Sequence, residues 1–464
     1  MSRGFYWALG LVGFVAIVGL AAFVWWARAT ADEGTYIPKP EVITPEIELL
    51  QAYVRIDTSN PPGNETEGAR FLIEELARRG VDAELIESAP GRGNVYARLK
   101  GRRAGEGLLL LHHIDVVPAD ASRWKHPPFE ARIEMNMMYG RGTLDMKSIG
   151  IAHLEAFSRL ASEHPEPERD VVFLATADEE HFGRLGLPWL IEHRPDIFEG
   201  IRYAVTEGGV TETIAERLSY FGIETGSKQF VGAIARSSTR EDLEKLRIAL
   251  EPYFNPRDPE RVLPEVRDFF TRVAPHRKEP ATLLADIDRT IAEGKFWLLD
   301  PSYRQLTQNN VGADRIVERR EGYSMRVGLL NLPDEVPEER FAWLNRVASF
   351  HGVTIEPTLM TGPTKISSPQ TPLFALIARH IRSTYGEVPV GPRIVPSITT
   401  DCRFLRARGI DCYGMWPFPV NVYQTWGIHR IDERVRLDWF QQGVEMTAAL
   451  VQEYATVTKN GLND

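Results

Sequence analysis

Apolar and polar positions along the chain fall into two alternating rhythms. Short unbroken apolar runs, the pattern of strands buried on both faces, occur at Leu108–Leu111, in DVVFLATA at Asp170–Ala177, at Tyr203–Val205 and near Cys412–Met415. Val81–Ile86 and Asn94–Leu99 also read as strands. Between them, apolar residues recur at helical spacing over Thr44–Tyr53, Glu67–Arg79, Lys147–Leu160, Leu373–Tyr385 and Arg436–Thr456. Local signals agree: Thr44 precedes Pro45 at a helix start, and Gly80 follows a helix end. Strands alternating with helices predict an α/β fold with a mostly parallel central sheet flanked by helices.

From about Ala215 the rhythm changes. Tyr220–Ile234 and Ser324–Leu332 read as strands, and Arg240–Leu250 and Glu338–Phe350 as helices with charged faces. Asn255–Asp300 between them is charged and only weakly helical. The pattern predicts an inserted α+β domain over 213–357, separating the two parts of the α/β domain at 41–212 and 358–464.

The N-terminus has no amphipathic rhythm. Phe5–Ala27 is uncharged and almost wholly apolar, long enough to cross a bilayer as a helix, with Trp7 at one end and Trp25-Trp26 at the other. This predicts a transmembrane anchor over 1–28, a linker over 29–40, and a body outside the cytoplasm, periplasmic or extracellular. The alternative is a signal peptide cleaved near Ala29-Thr30-Ala31, which would release a secreted protein.

Composition narrows the partners. The 464 residues carry a formal net charge of −10 with no long basic run, which disfavours nucleic acid. The only cysteines, Cys402 and Cys412, fit either one disulfide or two reduced core thiols.

Five short motifs could carry chemistry. His113-Ile-Asp115 closes the leucine run, and its two polar side chains leave the same strand face. Tyr139–Lys147 is a glycine-rich turn with Asp145 at a helix start. Asp178-Glu179-Glu180 follows a buried strand, Thr206-Glu207-Gly208-Gly209 follows another, and Gly427-Ile-His429 precedes the last helix. Three of the five stand at predicted strand ends, where open α/β sheets collect their sites. Each alone also fits a solvated loop or an ordinary His–Asp hydrogen bond. Together, two histidines and several carboxylates suit Zn²⁺ or another divalent ion, and without thiolate ligands the set is not that of a structural zinc site.

The motifs LLLLHHIDVVPAD, Trp124 with HPPFE, YGRGTLDMKS, ATADEEHFG, TEGG, TTDCRFLRARGIDCYGMWPF and GIHRIDERV stand in this order from about Thr44 to Val451. In order and spacing the sequence resembles the aminoacylase / glutamate carboxypeptidase / succinyl-diaminopimelate desuccinylase family of co-catalytic zinc peptidases, in its membrane-anchored or secreted branch. The resemblance implies two zinc ions per chain. His113 would bind the first, oriented by Asp115. Asp145 would bridge both. Glu180 and His429 would bind the second, and Glu179 would act as general base. Arg403 matches an arginine near the family's active site, where it would bind substrate or serve the structure. The implied reaction is hydrolysis of a peptide or N-acyl amino acid by a metal-activated water, and the implied insert is a lid that also mediates a homodimer.

Three departures accompany the resemblance. Thr206 stands where close relatives have an aspartate ligand, so either Glu207 replaces it or the first zinc is weakly held. The insert lacks the histidine that follows its first strand in the family. The family's Asn-x-Ile-Pro segment is replaced by GADRIVERREG at Gly312–Gly322, and Leu329–Pro333 lacks the usual arginine. The departures leave one alternative: a catalytically impaired binding or scaffold protein on the same fold.

Overall fold

The computed structural model describes residues 42–457 apart from 182, 215–216, 277–280, 363, 397–399, 421–423 and 425–426. The apolar run at Phe5–Ala27 lies outside the described residues. Among those described, no helix is long and apolar enough to cross a membrane.

A nine-stranded sheet organises the molecule. In spatial order it runs Glu84–Ala89, Arg92–Leu99, Arg169–Thr176, Arg103–His113, Ile201–Thr206, Asp411–Gly414, Arg217–Ser227 and Val390–Val395, with Thr211–Ile214 hairpinned onto Arg217–Ser227. The leucine run shows why the centre is apolar throughout. Leu108 and Leu110 enter the core cluster on one face, Leu109 and Leu111 the cluster on the other. Helices Lys147–Glu163 and Leu437–Thr456 pack together over the first face; Leu187–His193 and Cys402–Ala407 cover the second.

The sheet is mixed rather than mostly parallel. Four ladders are parallel and four antiparallel. The physical reason is connection length. Only Pro90 and Gly91 separate the first two strands, and a link that short can join only antiparallel neighbours.

The expected strand Tyr220–Ile234 is two strands in two sheets. Arg217–Ser227 belongs to the central sheet, while Gln229–Ser237 opens a five-stranded antiparallel sheet with Asn310–Ala313, Val317–Arg319, Gly322–Asn331 and Thr354–Met360. Lys228 sits buried at the crossing. Its amide donates to Val395 O, and its Nζ lies 2.7 Å from Gln308 O and 2.6 Å from Asn310 Oδ1. Helices Arg240–Leu250 and Pro337–Phe350 cover one face of this second sheet through Leu243, Leu246 and Leu344.

The charged segment after Asn255 contains the amphipathic helix Pro264–Val273. Its Val266, Phe269, Phe270 and Val273 pack on Tyr220 and Ile394, at the edge of the central sheet. A small three-stranded sheet, Arg434–Arg436 with Met137–Tyr139 and Arg132–Glu134, brings the C-terminal motif against the glycine-rich turn. Cys402 and Cys412 form a disulfide with a Cα–Cα distance of 5.4 Å.

Candidate metal centre

Strands Arg169–Thr176, Arg103–His113 and Ile201–Thr206 are parallel neighbours in the sheet, so their C-terminal ends finish side by side. His113 ends the middle strand. Glu179 and Glu180 stand in the short 3₁₀ turn after the first, and Glu207 follows the third. Asp145 approaches from just before helix Lys147–Glu163, and its peptide bond to Met146 is cis. His429 comes from the loop before Arg434–Arg436.

These side chains form two groups that share Asp145: His113, Asp145 and Glu207, and Asp145, Glu180 and His429. Within each group the donor atoms lie within 4.8 Å of one another. His113 Nε2 is 3.0 Å from Asp145 Oδ1 and 3.9 Å from Glu207 Oε1. His429 Nε2 is 3.1 Å from Asp145 Oδ2 and 2.9 Å from Glu180 Oε2. A single ring N–H cannot serve two carboxylates at full strength, whereas a cation between them can. Donors about 2.0–2.2 Å from a tetrahedral ion lie roughly 3.3–3.6 Å apart, close to these separations. The donors are nitrogen and oxygen, with both cysteines in the disulfide, a set suited to Zn²⁺ or a similar divalent ion.

His113 is held in the tautomer a ligand needs. Its Nδ1 is 2.9 Å from the Asp115 backbone oxygen and 3.5 Å from the Asp115 carboxylate. Donation from Nδ1 leaves Nε2 free to face Asp145 and Glu207. The Asp115 backbone therefore orients the ring more closely than its carboxylate does. That carboxylate accepts instead from the Glu179 and Glu180 amides, both at 3.1 Å, and from Asn60 Nδ2 at 2.8 Å.

The electrostatics follow from burial and mutual proximity. Burial, reinforced by Asp401 and Glu180, holds Glu179 well above the usual carboxylate range, while His113 and Arg403 pull it down. Burial and then Asp145 raise Glu180 to about 7, and the same causes raise Glu207. Burial opposes a charge on His113, but Asp115, Asp145 and Glu207 outweigh it and raise its pKa. His429 rises to about 11 against burial, through Asp145 and Glu180.

Arg403 lies near this group. Its charge acts on Glu179 and Asp401, its Nη1 donates to Thr400 O at 3.2 Å, and it stacks 4.2 Å from the Phe404 ring. No histidine occurs in the two residues, Ser238 and Thr239, joining strand Gln229–Ser237 to helix Arg240–Leu250.

Sequence reasoning missed a buried network beneath the centre. Arg92 Nη2 lies 2.7 Å from Glu65 Oε1 and 2.6 Å from Asp178 Oδ1, and Asn60 Nδ2 joins Asp178 to Asp115. Asp178 adopts φ 68°, a conformation unfavourable for a residue with a Cβ, and its carboxylate also accepts from the Leu185 amide. Glu433 was missed too. Its Oε1 accepts from the Leu144 and Asp145 amides at 2.8 and 3.2 Å, and it pairs with buried Arg141. The available signals were the NPPGN turn around Asn60 and the acid in GIHRIDERV.

Fold and site together define a class: an α/β hydrolytic enzyme with a candidate two-ion centre at the C-terminal ends of its parallel strands. Comparison with known proteins carries this one step further, because residues 109–453 match Peptidase family M20/M25/M40. The chain belongs to that family, whose members hydrolyse peptide and amide bonds and typically bind two metal ions. Aminoacylase-1 of Mus musculus is 27% identical over 436 residues, which is 90% of this chain and 97% of the relative. Among solved structures, the M20 family metallo-carboxypeptidase Sso-CP2 from Sulfolobus solfataricus superposes with a TM-score of 0.69 at 19% identity, covering 89% of this chain and 100% of that one. Human carnosine dipeptidase 1 does so with a TM-score of 0.68 at 17% identity, covering 88% and 96%.

Proposed function

We propose that the chain is a two-zinc hydrolase that cleaves an amide bond in a peptide or N-acyl amino acid. The observation that carries this reading is Asp145, shared by two groups of donors whose spacing suits one ion each. His113, Asp145 and Glu207 would hold the first ion, and Asp145, Glu180 and His429 the second. Ions held there supply Lewis-acid polarisation of a carbonyl and lower the pKa of water. Glu179, raised by burial, takes a proton from the attacking water and delivers it to the leaving amine. Asp115 fixes the amides of the Glu179-Glu180 turn and, through its backbone, the His113 ring. Arg403 would pair with a substrate carboxylate.

The proposal extends to location and assembly. Phe5–Ala27 anchors the body outside the cytoplasm, where the Cys402–Cys412 disulfide is stable, and the second sheet with its helices acts as a lid and homodimer contact. Protease added to cells stripped to an intact cytoplasmic membrane checks the location: protection of the body there would exclude it.

The full chain with added Zn²⁺, assayed against N-acyl amino acids and dipeptides, should turn over at least one of them. Glu179→Gln should keep both zinc ions and lose about 10²–10⁴-fold in kcat. Two bound ions with no turnover on a broad panel would sink the enzymatic reading. The same result with one ion or none, given Thr206 and the missing lid histidine, would favour a scaffold.

A further inference from the structure

Glu224 lies inside the central sheet on strand Arg217–Ser227 and is fully buried. No motif marks it, yet three segments of the site converge on its carboxylate. Arg406 Nη1 donates to its Oε1 at 3.0 Å, and Thr400 Oγ1 lies 3.1 Å from Oε1 and 3.3 Å from Oε2. Arg406 is also fully buried, and its Nη2 donates to Cys412 O at 2.8 Å and its Nε to Ser367 Oγ at 3.1 Å. The other side of the carboxylate rests on two glycines. A Cβ on Gly208 would collide with Glu224 Oε2, and a Cβ on Gly414 would collide with both Glu224 Oε2 and the Glu207 carbonyl. Gly208, at φ 123°, directly follows Glu207, and Thr400 lies three residues before Arg403.

A buried ion pair seldom stabilises a fold more than a well-packed apolar pair would, because desolvating two charges offsets their attraction. What this pair provides is a fixed relation between segments that are remote in sequence. We propose that Glu224 is a positioning residue for Glu207 and for Thr400 at the approach to the helix Cys402–Ala407 that carries Arg403. Braced by Arg406 and Thr400, its carboxylate supports the turn from which Glu207 reaches toward His113 and Asp145. The inference rests on the reading of Glu207 as a metal ligand. It does not require that the chain turn over any particular substrate.

The test is zinc affinity of the full chain, measured by competition with a chromophoric chelator, for wild type, Glu224→Gln, Glu207→Ala and the double variant. Glu224→Gln should weaken one of two zinc sites by about 10–100-fold, the range for residues that orient a ligand, and leave the other unchanged. Glu207→Ala should weaken the same site further, and adding Glu224→Gln to it should change little, because the effect passes through Glu207. Should Glu224→Gln fail to fold, Thr400→Val removes one hydrogen bond to the carboxylate and should weaken the same site a fewfold. Unchanged zinc affinities in a folded variant whose melting temperature has fallen would mark a merely structural pair and overturn the proposal, as would additive losses in the double variant. Two zinc ions without turnover in wild type would defeat the enzymatic reading and leave this one standing.

Discussion

Replacing Arg92 by methionine probes whether the buried network holds the turn that carries Glu179 and Glu180. Arg92 Nη2 contacts Glu65 at 2.7 Å and Asp178 at 2.6 Å, with all three side chains almost inaccessible. Methionine keeps much of the volume and removes the charge. Breaking a buried pair from one side costs about 3–5 kcal/mol, because the partner stays buried without compensation. Here two carboxylates would be left, and the loss should depend on pH. Glu65 rises from 4.5 to about 7, through burial first and then Asp115, even with Arg92 pulling it down. A carboxyl displaced that far weighs about 3 kcal/mol against the native state once it is ionised. The sign follows from linkage: a raised native pKa gives stability that is present below pH 4.5 and lost as pH rises through about 7. Arg92→Met should therefore cost about 3–5 kcal/mol at pH 8 and roughly half that at pH 5, where Glu65 is protonated and no longer needs a counter-charge. Urea midpoints at constant m, read by near-UV circular dichroism, measure the difference. Adding Glu65→Gln to Arg92→Met should recover much of the loss at pH 8. Equal losses at both pH values, or no recovery in the double variant, would refute the reasoning.

Two other perturbations follow from the same geometry. Glu433→Ala removes the acceptor for the Leu144 and Asp145 amides and the partner of Arg141. Because Asp145 belongs to both donor groups, this variant should weaken both proposed metal sites by about 10–100-fold in a chelator competition with Zn²⁺; a change at one site alone would show that Glu433 does not act through Asp145. The Cys402–Cys412 bridge closes a loop of sequence separation 10, so Cys402→Ala with Cys412→Ala should cost about 3 kcal/mol in urea denaturation. Both cysteines are fully buried, so a reductant should match that shift only when added to unfolded chain.

What the sequence made legible is what periodicity and strand-end placement encode. The run at Leu108–Leu111 reads as buried on both faces, and each face of the sheet takes alternate leucines. His113, Glu179 and Glu207 stand together because three parallel strands end together, which a run of apolar strands in an α/β pattern already implies. What stayed hidden depends on register between distant segments. Asn60 and Asp178 are separated by 118 positions and Glu433 and Leu144 by 289, and no local pattern distinguishes such charges from solvated loop residues. The strand break at Lys228 was hidden for the opposite reason. The residues on both sides favour strand, and only one lysine marks the change of sheet.

The question left by Thr206 shows how the two kinds of information combine. Threonine is a poor zinc ligand, so sequence alone leaves a first site that His113 begins and nothing clearly completes. In the fold, Thr206 is the last residue of its strand, and it is the next residue, Glu207, whose side chain comes within 3.9 Å of His113 Nε2. That approach depends on the turn beyond it. Gly208 and Gly209 both have positive φ, Gly208 leaves room for Glu224, and the Thr206 and Gly208 carbonyls accept from the Met415 and Trp416 amides. A substitution at Gly208 should therefore disturb the site as a substitution at Glu207 does, although glycine offers no ligand atom. On the proposed reading the functional unit is the braced turn, and Glu207 is the part of it that faces His113 and Asp145 in the candidate centre.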